Sequence, residues 1–294
     1  MILIPVFLGI CSALFGALAN LIAWQAMGFT TARHFVSFTF AIMFLLLLPL
    51  APFYFDLQWG ALGLSLVLCV AIIDGVANYF YFRSFEVNDV STASVLLSLS
   101  PFFTLLLQPI VQSENAILKG HYLISVLLIA GGIVLLNLRF PTDPRNFLLN
   151  LNSKGATGYR VKLMVPLVAA FLFGSNIYLT KELLTRDITN PYTFYLIRSG
   201  IIAIFTAVLL HPNLSWVNRR TLQITVGRSI LVIAQWLLML YALESGHPAL
   251  VKAISDSSPL FVMMLAVIFF GQRMTRRLVL GSGCILVGLG LLVW

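Results

Sequence analysis

Charge is what this sequence has least of. Charged residues make up 10% of its 294 residues, where a soluble domain carries about 25%. So few cannot cover a water-facing surface, which excludes a cytosolic enzyme and a disordered regulator. Cysteine is nearly as scarce. Cys11, Cys69 and Cys284 stand alone in apolar runs, which excludes a secreted disulfide scaffold and any thiol metal site. His34, His121, His211 and His247 are scattered singly, so no metal or catalytic cluster is expected. No phosphate-binding Gly-rich loop is present, which excludes nucleotide-driven chemistry. Hydrophobic residues make up 60% of the chain, and the mean hydropathy is +0.99. The solvent such a chain is built for is a lipid bilayer.

A helix that spans a bilayer needs about 20 mostly apolar residues. Ten runs qualify, over 2–25, 30–51, 59–84, 90–112, 119–138, 162–184, 191–211, 221–243, 248–270 and 277–294. The first is long enough to span and lacks a basic leader, so no cleavable signal peptide is expected. One stretch breaks the pattern. Residues 139–161 are polar, basic and rich in turn formers, including Pro141, Pro144, Gly155 and Gly158. They read as a linker between units 1–138 and 162–294.

The two units resemble each other at a shift of 158 positions. Leu14-Phe15-Gly16 falls on Leu172-Phe173-Gly174, Glu86 on Glu244, Ser100-Pro101 on Ser258-Pro259, and Gly132 on Gly290. Five helices is an odd number, so the second copy must enter the membrane from the opposite side. The expected fold is an all-α integral membrane protein, with ten transmembrane helices as a 5+5 inverted repeat. That design recurs in secondary transporters, which hold substrate near the midplane between the halves.

The residues carry a family resemblance. The Leu-Phe-Gly of the first helix in each half contributes. So do the ends of the third helices, Tyr81-Phe82-Arg83-Ser84-Phe85-Glu86 and Leu240-Tyr241-Ala242-Leu243-Glu244. The Ser100-Pro101 and Ser258-Pro259 starts of the fourth helices complete the set. The sequence resembles the drug/metabolite transporter superfamily, EamA type. The resemblance covers nearly all of the chain except the linker. It implies transport of a small molecule, no enzyme activity and no cofactor, and it leaves the substrate open, since the superfamily moves amino acids, nucleotides, sugars, polyamines and drugs.

Ionisable side chains at spanning depth are costly and mark candidate sites. At 1.5 Å per residue, Arg198 lies ~12 Å and Asp256 ~13 Å below the face that carries connections 2–3, 4–5, 6–7 and 8–9; we term this face B. Lys252 precedes Asp256 by four residues, on the same helical face. Arg198, Lys252 and Asp256 are therefore expected to line one cavity. Asp74 and Arg228 lie ~8 Å and ~10 Å below the opposite face, face A, and are expected to pair. Three cations against two acids leave one positive charge, which a substrate carboxylate would satisfy. Asn78, Asn176, Gln235 and Ser98 are further polar candidates for the substrate site. Pro101 and Pro259 are candidate kinks or gates, since each removes a backbone donor. Trp24, Tyr81, Trp236 and Tyr241 could stack on substrate or anchor at the interface.

The resulting expectation is a multi-pass transporter of the cell (inner) membrane, a monomer or homodimer. It would export a small metabolite, favoured as an amino acid or other carboxylate, by alternating access. Asp256 and Asp74 are candidate proton carriers for coupling. Its partners are membrane lipid and the small-molecule substrate, with no nucleic acid and no metal. The alternative is a membrane-embedded enzyme or flippase acting on a lipid-linked substrate. Orientation stays open. Apart from Arg198, Arg228 and Lys252, three basic residues fall on face B and twelve on face A. The charge rule then puts both termini outside, whereas the resemblance implies both inside.

Overall fold

Each apolar run is helical over most of its described residues, with turns at Leu99 and at Asp256 and Ser257. The computed structural model describes residues 3–56, 60–88, 93, 96–97, 99–111, 120–137, 156–258, 261 and 276–293. Ten helices follow in chain order: α1 (Leu3–Ala26), α2 (Ala32–Leu47), α3 (Ala61–Val87), α4 (Ser100–Val111), α5 (Gly120–Asn137), α6 (Ala156–Thr185), α7 (Pro191–Leu210), α8 (Arg219–Ser245), α9 (Pro248–Ser255) and α10 (Arg276–Val293). A 3₁₀ turn and one helical turn carry α2 on to Tyr54. There is no strand among the described residues. Six of these helices are long and apolar enough to cross a bilayer: α1, α2 with its extension, α3, α6, α7 and α8. The described parts of α4 and α9 are short, at 12 and 8 residues. α6 is described from Ala156 on, inside the stretch read as a linker, whose residues 139–155 lie outside the described residues.

Local chemistry sets the ends. Asn190 caps α7, its side chain accepting from the Thr193 N–H at 2.7 Å, and Pro191 opens the helix where a missing N–H costs nothing. Asn218 and Thr221 form a reciprocal capping box at α8. The Thr31 side chain makes no capping bond to α2. The Glu86 carboxylate at the end of α3 takes that role, accepting from the Ala32 N–H and from Arg83. His211 ends α7 in the left-handed region at φ 45°.

Packing inverts the soluble pattern. Large apolar side chains face outward, as at Phe53, Leu3 and Ile204, which are 79%, 71% and 69% exposed. Alanines of α1 (Ala13, Ala17, Ala23, Ala26) are fully buried, so that helix lies close against its neighbours. The main packing pairs are α1 with α8 and α3 with α6; α2 with α7; α5 with α10; α4 with α6 and α9 with α1; and α3 with α7 and α8 with α2. Exchanging each helix for the one five places away maps this set onto itself.

The α5–α10 seam depends on absent side chains. A Cβ on Gly132 would sit 2.6 Å from the Gly281 carbonyl oxygen and 2.8 Å from Ile285 Cγ1. Neither backbone can give way cheaply, so Gly132→Val is expected to cost about 1–3 kcal/mol through overpacking. Thermal unfolding in detergent checks this, and an unchanged midpoint would show that the seam tolerates separation.

Candidate substrate cavity

α4 starts after a turn at Leu99 and α9 runs into a turn at Asp256 and Ser257, and charged groups collect there. α9 ends at Ser255, and Asp256 follows as its C-cap, its N–H bonded to the Lys252 carbonyl at 2.8 Å. A carboxylate at a helix C-terminus meets the negative end of the dipole. Lys252 in the last turn compensates, its Nζ lying 2.9 Å from Asp256 Oδ1. The other carboxylate oxygen accepts from Ser100 Oγ at 2.5 Å, across from α4. Asp256 therefore joins the two halves of the chain. Pro101 occupies the first turn of α4, directly after the turn at Leu99, a position where proline is tolerated. Pro259 and Ser98 lie outside the described residues.

Around this pair is a cavity of about 100 Å³. That is room for several waters or a small solute. Polar walls come from Asn20, Asn78, Tyr81, Ser100, Gln235 and Ser258, and aromatic walls from Phe85, Phe173 and Trp236. Tyr81 donates to Asn20 Oδ1 at 2.5 Å, which ties α3 to α1. The Lys252 ammonium lies 5.6 Å from the centre of the Phe173 ring, in the second Leu-Phe-Gly.

Arg228 forms the remaining charged wall. It is 3% exposed, with its guanidinium 4.8 Å over Phe82 and 5.6 Å over Phe35, and with Tyr81 beside it. Four ion pairs occur among the described residues, and none includes Arg228. Its Nε and Nη1 have no hydrogen-bond partner. The expected Asp74–Arg228 pair is therefore absent. Arg228 meets α3 at Phe82, two turns above Asp74.

Asp74 pairs instead with Arg198, and both are buried. This pair is not part of the cavity wall, which corrects the expectation that Arg198 lines it with Lys252 and Asp256. It lies behind the wall. The Arg198 guanidinium stacks 4.1 Å from the Trp236 ring centre, and Tyr195 lies nearly parallel to that ring at 6.1 Å. Asn78 bridges the two regions: it lines the cavity and donates to the Asp74 carbonyl at 2.8 Å. Asn176 stands apart and holds α6 to α3 through the Val70 carbonyl at 3.1 Å.

A wider chamber of about 980 Å³ opens at face A, between the end of α1, the end of α3 and the start of α8. Arg83, Glu86 and Arg220 line it, and Phe85 borders both chambers. At face B, the end of α2 with its extension and the start of α7 are tied together. Tyr192 Oη donates to the Leu47 carbonyl at 2.5 Å, and Asn190 Nδ2 to the Tyr54 carbonyl at 2.9 Å. Among the described residues the cavity adjoins the larger chamber at Phe85, toward face A. Two features were not read from the sequence: Phe85 at the boundary between the chambers, and Glu86 as the cap of α2. The recurrence of Glu86 at Glu244 was a signal of structural use, but it did not reveal the partner.

A sequence model of the EamA-like transporter family matches residues 3–138 and, a second time, residues 161–294. An uncharacterized protein of Methanocaldococcus jannaschii is 24% identical over 132 residues, which cover 44% of this chain and 94% of that protein. An uncharacterized transporter of Schizosaccharomyces pombe is 27% identical over 238 residues, 76% of this chain and 66% of that one. The match thus spans about two thirds of the yeast protein's length. One crystal structure superposes with a TM-score of 0.73 at 15% identity, over 98% of this chain and 95% of that chain. At that identity the likeness speaks for the fold alone. An apolar outside, a charged inner chamber and these relatives define a multi-pass membrane transporter of the drug/metabolite type. The chain belongs to the EamA-like transporter family.

Proposed function

We propose that this protein is a ten-span secondary transporter, a 5+5 inverted repeat, that exports a small carboxylate-bearing metabolite across the cell (inner) membrane by alternating access. The exchange-symmetric packing of the helices supports the repeat. A relative about one half-chain long supports it too. Discontinuous helices around a central polar site suit this class of machine. The substrate class rests on one observation: Arg228 is buried in the cavity wall without a carboxylate partner. A buried cation without a counterion is costly, and a substrate carboxylate would supply the counterion. Asp256 is the better candidate for carrying a coupling proton, because it borders the cavity while Asp74 is held by Arg198 behind it.

Counterflow into proteoliposomes tests this reading. Vesicles preloaded with small carboxylates are expected to take up labelled carboxylate faster than protein-free vesicles. Exchange confined to cationic solutes would overturn it.

A further inference from the structure

We propose that Lys252 is a specificity-determining residue that excludes amino groups, so that the cavity selects a small monoanion without a free amine over the matching amino acid. The inference rests on the carboxylate reading above and narrows it to hydroxy- and keto-carboxylates.

The first argument is charge. Among the described residues that line the cavity, the charged ones are Arg228, Lys252 and Asp256. Two cations and one acid leave a net charge of plus one. A monoanion brings the occupied cavity to neutrality. A zwitterion contributes nothing to the balance and leaves the surplus buried.

The second argument is the supply of acceptors. An ammonium group that leaves water is costly to bury unless it is paired and hydrogen-bonded. Asp256 is the cavity's acid, and both of its oxygens are engaged, Oδ1 with Lys252 at 2.9 Å and Oδ2 with Ser100 at 2.5 Å. A carboxylate has lone pairs to spare, but a second ammonium on Asp256 would sit against the Lys252 ammonium. Displacing Lys252 is no easier. Its side chain is 8% exposed, so it would become a buried charge without a partner. It is also tethered one turn away on the same helix and competes as an intramolecular ligand. Lys252 thus holds the position a substrate amine would need. A hydroxyl or keto oxygen carries no such requirement, and Asn78, Gln235 and Tyr81 offer it neutral partners.

Substrate pairs that differ only in hydroxyl against ammonium test this: glycolate with glycine, lactate with alanine, 3-phenyllactate with phenylalanine. Wild-type protein in counterflow is expected to favour the hydroxy acid at least tenfold. Lys252→Met keeps the aliphatic stem over Phe173 and frees Asp256, giving one anion and one cation in the cavity, the complement of a zwitterion. Its preference is expected to fall at least tenfold or to invert. Lys252→Arg retains the charge and is expected to keep the wild-type preference. If Lys252→Met does not fold, the wild-type ratio and Lys252→Arg still decide. Equal exchange of both members by the wild type, or an unchanged ratio in folded Lys252→Met, would overturn the role of Lys252. Failure of every carboxylate while another solute moves would overturn the underlying reading as well.

Discussion

Asp74→Asn is expected to destabilise the protein by about 3–5 kcal/mol, the range for removing one partner of a buried ion pair. The substitution leaves the Arg198 guanidinium buried, with no exposure to water and no counterion. Asn78 is neutral and cannot supply the missing counterion; its amide nitrogen donates to the residue-74 carbonyl in either variant. The Trp236, Tyr195 and Phe40 rings around the guanidinium, 4.1 to 5.7 Å away, offer cation–π attraction of about 2 kcal/mol or somewhat more in a desolvated site, and it is already present in the wild type. It therefore does not replace the carboxylate. Total stability of a folded protein is only ~5–15 kcal/mol, so the loss should be visible as reduced yield and an early unfolding transition. Arg198→Met alone strands the Asp74 carboxylate and is expected to cost a similar amount. The double substitution Asp74→Asn/Arg198→Met strands neither and is expected to recover most of the loss. A full double-mutant cycle by denaturant unfolding in detergent measures the coupling. Additive losses would show that the two side chains do not depend on each other.

This pair also marks the limit of reading the sequence by depth. Helix periodicity brought Lys252 to Asp256 correctly, because four residues along one helix fix both depth and direction. Depth alone failed for Asp74. The expectation measured it from face B and subtracted from a slab of ~30 Å. But α3 has 27 residues, ~40 Å at 1.5 Å per residue, so its far end overshoots that slab. Asp74 lies 13 residues before the end of α3, well below the level of Arg228. The partner Arg198 then follows from α3 packing on α7, a neighbour relation that hydropathy does not encode. The helices were legible because apolar length is a one-dimensional property, and six of them are long and apolar enough to span. The repeat was legible because Ser-Pro, Gly and Glu recur at one spacing. Which residues face the same chamber depends on rotation and crossing of helices. That is why Trp236 comes between Arg198 and the cavity, where depth arithmetic had put Arg198 in the wall.

Arg228→Met is expected to behave in the opposite way to Asp74→Asn, losing function while retaining stability. Arg228 has no acid partner in the resting structure, so its removal strands nothing. A buried cation without a counterion carries a desolvation cost that an apolar side chain does not. Against that stands the loss of ring contacts to Phe82 and Phe35 at 4.8 and 5.6 Å, worth ~1–2 kcal/mol. The unfolding midpoint should therefore stay level or rise. Carboxylate affinity should collapse. A buried charge-assisted pair contributes about 2–5 kcal/mol on truncation, so half-saturation in counterflow should rise at least ~30-fold. Arg228→Lys restores the charge but not the planar fork that meets both carboxylate oxygens, and intermediate affinity is expected. Two measurements on the same preparations decide. Unchanged half-saturation in folded Arg228→Met would remove Arg228 from the site. A large drop in its midpoint would instead make it a structural cation, held by its rings and by Tyr81. On the proposed function the cation facing the cavity is kept for a ligand, and the joint outcome of lost affinity and retained stability is the signature of that use.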